Sequence, residues 1–221
     1  MKTGSGKRER AGNAVEKPAL GDVSPEPISL ERFEDEFRCE RSTVEEASLS
    51  GARASGIVFD TCELRRSTLD GSTLGRLRLL DVRLEKCNAS NARWEKAHLR
   101  RVEFVRCRLT GLSLAEGDVR EVVFKDCKAD FLALSASKLK NVRFEGCRLA
   151  DADFQAVELE NAVFLNCDLK NADFGQARLS KVDLRGSVLD GIKLEPNQLR
   201  GLTIDPIQAL AIVQLLGVSV A

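Results

Sequence analysis

An apolar residue recurs at every fifth position of this 221-residue chain from Val44 to Ile204, without one insertion. All 33 positions of the series are apolar, and at 43% apolar composition the chance probability is on the order of 10⁻¹². A second series, two residues earlier in each step, runs from Ala47 to Leu202 and holds Ala, Cys, Val, Ser or Gly at 25 of its 32 positions. Each pentapeptide therefore supplies one large and one small inward residue, and only stacked neighbours can bury that pair.

A longer period of four pentapeptides is superimposed on the period of five. It is visible in a cysteine series and a phenylalanine series: Cys87, Cys107, Cys127, Cys147, Cys167; Phe104, Phe124, Phe144, Phe164. Like residues stack when one turn lies directly over the next, so a turn of four pentapeptides, with four sides, is expected. Residues 47–206 then form about eight turns, and at ~4.8 Å per layer the rod is about 38 Å long.

The segment LADADFQAVELENAVFLNCDLKNADFGQARLSKVDLRG, Leu149–Gly186, resembles the pentapeptide-repeat proteins, whose unit is A-(D/N)-L-x-x. The resemblance covers about three-quarters of the chain. It implies an all-β solenoid, a right-handed quadrilateral β-helix close to a DNA duplex in width. In the N-terminal half, basic side chains precede the central residue where Asp or Asn is typical of the family, for example at Arg78 and Arg93.

The chain divides into four parts by composition and pattern. Residues 1–28 are rich in charge, Gly and Pro and are predicted to be a flexible tail. Residues 29–46 are predicted to be the N-terminal cap, with Leu30, Phe33 and Phe37 on a short helix or an irregular first turn. Residues 47–206 form the β-helix, and residues 207–221 a C-terminal dimerisation helix and tail.

The C-terminal segment carries a clear helix signature. Asp205 suits the N-cap, Pro206 the first helical position and Gly217 the residue just past the end. The intervening helix is apolar nearly all round, so it must be buried on more than one side. One side closes the coil and the others are predicted to form a two-fold dimer interface, comprising Ile207, Leu210, Ala211, Val213, Gln214 and Leu216. A monomeric cap is the alternative.

The sequence contains no pattern that favours catalysis. Six of the seven cysteines fall at the small inward position, where they act as small apolar residues, and His98, the only histidine, faces outwards. No catalytic residue, metal site, cofactor or small-molecule substrate is predicted, and a rod with filled sides lacks the usual enzyme pocket. The N-terminus has no apolar signal-peptide core, no segment is long enough to span a membrane, and a cytoplasmic protein is expected.

The formal net charge is zero, but the charges are unevenly placed along the chain. Residues 1–46 carry 8 basic and 11 acidic side chains, residues 47–146 carry 19 and 13, and residues 147–206 carry 7 and 10. A basic middle is therefore followed by acidic turns beside the predicted dimer junction. Carboxylates along a regular rod can imitate a line of phosphates.

The unbroken coil with an apolar C-terminal helix, including Gln208-Ala209 and Leu216-Gly217-Val218, looks like the topoisomerase-protecting branch of the family. That resemblance implies a DNA mimic that dimerises, binds bacterial DNA gyrase or topoisomerase IV, and protects it from topoisomerase poisons such as quinolones. The predicted gyrase-interaction surface comprises Asp151, Asp153, Glu158, Glu160, Asp168 and Asp173. Two alternatives remain open. One is a general protein-interaction scaffold, and the other is direct nucleic-acid binding through Arg65, Arg66, Arg76, Arg78, Arg83, Arg100 and Arg101.

Overall fold

The computed structural model describes residues 15–21, 23–24, 26–28, 30–215 and 217–218. The regular elements are short parallel strands, one 3₁₀ turn (Pro196–Leu199) and one α-helix, α1 (Ala209–Leu215). The strands are β1 (Pro27–Ile28), β2 (Arg38–Glu40), β3 (Thr43–Glu45), β4 (Arg53–Ser55), β5 (Val58–Arg65), β6 (Thr73–Gly75), β7 (Arg78–Glu85), β8 (His98–Val105), β9 (Asp118–Lys125), β10 (Lys138–Glu145), β11 (Glu158–Leu165), β12 (Arg178–Asp183) and β13 (Leu202–Thr203).

The strands pair with a constant offset of four pentapeptides, which is the longer period seen in the sequence. Leu84 pairs with Phe104, for example, and Phe144 with Phe164. The fold is the predicted right-handed four-sided β-solenoid with a C-terminal helix. It has about nine turns where eight were expected. The difference arises at the N-terminus, because residues 38–45, expected in the cap, pair in register with β5 as one more turn.

The corners of the coil have a left-handed backbone conformation. The residue two positions after each central apolar residue has a positive φ in turn after turn, for example Asp81 (53°), Glu121 (54°) and Asp151 (56°). Side chains flanking a corner point outwards, whereas the central residue and the residue two positions before it point inwards. This alternation decides which residues can reach a partner.

The interior is filled by stacked columns of identical side chains. Phe144 lies between Phe124 and Phe164, with ring centroids 4.7 and 4.8 Å away and nearly parallel planes. The cysteine column is buried as predicted. Its thiols act as donors to carbonyl groups of the preceding turn, as Cys147 does to Phe124 at 3.3 Å, and Ser187 does the same to the Phe164 carbonyl at 3.0 Å.

The N-terminal end of the coil is closed by an aromatic cluster. The rings of Phe33 and Phe37 lie 6.0 and 6.2 Å from that of Phe59, in the first complete turn. None of residues 30–46 is helical in the structure, which favours the irregular first turn that the sequence left as one of two options. Only residues 30–37 are irregular, because 38–45 already pair with β5. Their role as a separate cap domain stays a prediction.

Part of the predicted flexible tail is described, and it lies along one corner of the coil. We term residues 15–21 with 23 and 24 the N-terminal strap. The backbone amide of Glu16 donates to Glu121 at 2.9 Å, and that of Ala19 donates to Asp81 at 3.0 Å. Three extended residues cover about 10 Å, which matches two layers of ~4.8 Å, so amides three residues apart meet carboxylates two turns apart. Residues 1–14 lie outside the described residues.

The C-terminal end is closed by buried glutamine side chains as well as by the apolar helix. Gln208 donates from Nε2 to the carbonyl groups of Leu184 and Ser187, at 2.6 and 2.7 Å. Asp205 accepts from the Gln208 amide at 3.0 Å, which confirms its predicted capping role. The apolar pattern gave no sign of this polar closure; the signal for it is the acidic residue three positions before Gln208.

Candidate protein-interaction surface

The six carboxylates predicted to form an interaction surface lie on three sides of the C-terminal turns. Asp153 and Asp173 stack on one side through a parallel bridge. Asp151 occupies a corner and Asp168 lies on the side that leads to it, because Asp168 bridges to Arg148 one turn earlier. The remaining two, Glu158 and Glu160, are in β11.

Three of these carboxylates are neutralised by neighbouring cations. Glu158 accepts from Arg178 at 3.2 Å, Glu160 pairs with Lys140 at 3.0 Å, and Asp173 pairs with Lys193 at 3.1 Å. Burial alone would raise the pKa of Asp173. Hydrogen bonds from the Gly175 amide, Lys193 and Gln155 outweigh it, and the net effect lowers that pKa. These ion pairs hold the side chains in place and compensate most of the negative charge of the three carboxylates.

The other three form a surface that we term the acidic corner: Asp151, Asp153 and Asp168. Within residues 30–215 they make no ion pair. Each accepts one neutral donor instead: the Asn171 side chain at 3.1 Å, the Gln155 amide at 2.9 Å and the Lys170 amide at 3.1 Å. Their charge is therefore uncompensated by direct contacts, and their orientation is held by hydrogen bonds.

Glu158 and Glu160 line a shallow groove of about 500 Å³ on the flat side formed by β9 to β12. Its walls are two columns of outward side chains that mix both signs of charge, and its floor contains Leu139 and Leu159. Because the two signs are interleaved, the groove has no strong preference for an anionic or a cationic ligand. Within the described residues, no group of three or more His, Cys, Asp or Glu side chains is arranged to hold a metal ion.

Most of the arginines considered for nucleic-acid binding are engaged with carboxylates. Ion pairs join Arg65 to Glu63, Arg66 to Glu45 and Glu46, Arg76 to Glu36, Arg83 to Glu85 and Glu103, and Arg101 to Asp81. Arg78 and Arg100 make no ion pair among the described residues. The structure therefore disperses this basic set into pairs and does not form a continuous cationic patch.

The C-terminal helix α1 and the turn before it present part of the predicted dimer interface to solvent. Ile207 is 89% exposed, Leu210 is 50% exposed, and Gln214 is also exposed. Val213 is half-buried and Ala211 packs partly against the coil. Leu216 lies outside the described residues. An apolar ridge thus remains at the end of the rod, adjacent to the acidic turns.

These features define a class of protein. The chain is a β-solenoid repeat protein whose inward positions are filled by packed side chains. The side chains that can contact another molecule therefore lie on the outer columns and at the C-terminal end. Its sequence matches the family model of the pentapeptide repeat region three times, over residues 57–134, 97–174 and 137–209. The chain belongs to the pentapeptide-repeat family. Among the described residues, no helix is both apolar enough and long enough to cross a membrane.

Solved structures of other repeat proteins are similar to this chain. One is QnrB1, a plasmid-mediated fluoroquinolone resistance protein, at 24% identity and a TM-score of 0.36, covering 88% of this chain and 97% of that one. Another is HetL of the cyanobacterium Nostoc, a pentapeptide repeat protein involved in heterocyst differentiation regulation, at 18% identity and a TM-score of 0.34, covering 78% and 89%. A search of curated protein sequences found no match.

Proposed function

We propose that this protein is a non-enzymatic DNA mimic that binds a bacterial type II topoisomerase, DNA gyrase or topoisomerase IV, and protects it from topoisomerase poisons. The observation that carries the proposal is the acidic corner. Asp151, Asp153 and Asp168 are uncompensated, held in fixed positions on a rigid rod, and close to its C-terminal end. A basic DNA-binding surface would meet these carboxylates where it normally meets phosphates.

The proposal includes a dimer and a cytoplasmic location. The exposed apolar ridge of Ile207 and Leu210 is an unfavourable surface in water, and a second copy would bury it. A two-fold pairing of the helices would place two acidic corners on either side of the junction, in the middle of a rod of double length. Topoisomerases act on chromosomal DNA, so the partner requires a cytoplasmic protein.

A supercoiling assay and a drug-induced DNA cleavage assay with purified gyrase test the proposal. The protein should reduce fluoroquinolone-stabilised cleavage in a concentration-dependent way. In a D151N/D153N/D168N variant, the half-effective concentration should rise about tenfold, since three uncompensated charges are lost. The side chains face outwards, so the melting temperature should stay close to that of the original protein.

A matched control removes the same number of charges elsewhere. Asp60, Asp70 and Asp126 make no ion pair among the described residues and lie on earlier turns. The variant D60N/D70N/D126N changes the net charge equally and should leave protection unchanged. Equal losses in both triple variants would show a non-specific charge effect and contradict the proposed surface.

A general interaction scaffold is the second candidate function. It is favoured by the ladders of paired charges on the flat sides, such as Arg83 with Glu103 and Lys140 with Glu160, which leave most of the rod electrically neutral. If the original protein changes neither supercoiling nor cleavage at any excess over gyrase, the first proposal is wrong and the scaffold remains.

A further inference from the structure

We infer that Phe131 is an aromatic anchor for the topoisomerase, inserted into an apolar pocket of the partner beside the acidic corner. The inference rests on the proposed function and specifies a contact that gives the protein its affinity for the topoisomerase. Phe131 is 59% exposed. Among the exposed large apolar side chains of the described residues, it is the single aromatic one. All nine other phenylalanines contrast with it, because none is among those exposed side chains.

Phe131 lies in direct continuity with the acidic corner. Its backbone amide donates to the carbonyl group of Ala150 at 2.9 Å, so it occupies the same corner as Asp151, one turn earlier. On the adjoining side, Ala133 bridges to Asp153. The exposed ring and two of the three uncompensated carboxylates therefore belong to neighbouring layers, ~4.8 Å apart.

The backbone at Phe131 argues against a purely structural reason for this residue. Its φ is 58°, in the left-handed region that a bulky residue adopts only at a cost. The equivalent corners of other turns hold Gly71, Gly111, Asp151 and Gly191, residue types that tolerate this conformation. Phe131 thus accepts backbone strain and exposes apolar surface at the same time, and neither stabilises the coil.

The surroundings of Phe131 allow a close approach. The next outward positions are Ala133, Ser135 and Ala136, which are small and uncharged, so little desolvation or side-chain ordering opposes contact. On the preceding side, Arg148 lies one turn later than Phe131 and is held by Asp130 at 2.8 Å. A partner pocket that is apolar at its centre and basic at its rim would match the ring and the carboxylates together.

The test compares binding and stability in the same variants. F131G and F131N remove the ring but suit the left-handed corner. Both should bind purified gyrase about 10- to 100-fold more weakly than the original protein, as expected for loss of an interface anchor. Their melting temperatures should be unchanged or higher, because the backbone strain is relieved. Binding is measured by surface plasmon resonance and stability by thermal denaturation.

Ala156 provides the matched control, because it occupies another left-handed corner, with φ of 54°, and carries no ring. A156G should relieve the same kind of strain and leave gyrase binding unchanged. Binding by F131G and F131N equal to that of the original protein would overturn the inference alone. Parallel losses of melting temperature and binding would also overturn it, since they would indicate a structural role. Failure of the original protein to bind would overturn the proposed function and this inference with it.

Discussion

Replacing Phe144 by alanine should destabilise the coil at its centre. Phe144 is fully buried, with stacked neighbours above and below and an edge-to-face contact with Phe154 at 6.2 Å. A buried Phe-to-Ala change leaves a cavity and costs about 3–5 kcal/mol. In a solenoid each turn contacts only its neighbours, so this loss should also uncouple the two halves of the rod.

The control is Phe104, which is equally buried but has one stacked phenylalanine neighbour, Phe124 at 4.8 Å, because Leu84 pairs with it on the other side. Compared with Phe144, the Phe104 ring makes one stacked and one edge-to-face contact fewer, so F104A removes two aromatic pairs fewer than F144A. At about 0.5–1.5 kcal/mol per aromatic pair, F144A should cost about 1–3 kcal/mol more than F104A.

Urea denaturation followed by two probes measures both effects. Trp94, the single tryptophan, is buried and reports on the turns before Phe144, whereas far-ultraviolet circular dichroism reports on the whole coil. The original protein should show coincident transitions and F144A two separated ones. Equal destabilisation by F104A and F144A, with coincident transitions in both, would refute the column-stacking argument.

Two further predictions concern the ends of the molecule. L210R should convert a dimer into a monomer of 24.3 kDa in multi-angle light scattering while keeping the fold, because Leu210 is half exposed; a monomeric original protein would rule out the interface. The N-terminal strap should detach at acid pH. Burial tends to raise the pKa of Asp81, but hydrogen bonds from Arg101 and the Ala19 amide outweigh it, so its folded pKa lies below 3.8. The stabilising contribution of the ionised Asp81 carboxylate to strap binding is therefore complete above that ordinary value. It is lost as the pH falls through the lower folded pKa. D81N should expose the strap to hydrogen exchange already at neutral pH; unchanged protection would contradict the anchor.

The fold was predictable because the same two inward positions recur with every pentapeptide. Once Val44 and its successors at every fifth residue are placed inside, the register of four pentapeptides follows from the cysteine and phenylalanine series, and the observed pairing has that offset. The prediction of eight turns fell short because the turns were counted from Ala47, whereas β2 and β3 precede that residue and Val44 in β3 already belongs to the series. Cys39 belongs to the large-residue series, and the segment before it is irregular.

The candidate site was only partly predictable. Sequence position alone placed Asp153 and Asp173 on one side, but it could not show that Lys193 neutralises the second and that the first is uncompensated. It also missed Gln208 as a polar end closure and the strap bound by Asp81 and Glu121. The strap contacts join residues up to 105 positions apart, which no local pattern encodes. The Gln208 closure did have a local signal, Asp205 three positions earlier, but its contacts with Leu184 and Ser187 come from another turn.

The sequence by itself determined the repeating architecture, the inward and outward positions, the capping role of Asp205 and the division of charge along the chain. These are local and periodic properties, so each pentapeptide carries them. The tertiary structure alone decided which charges are free, since ion pairing depends on side chains brought together from different turns. It also showed that Phe131, which follows the buried series by two positions, stands exposed at a strained corner beside Asp151.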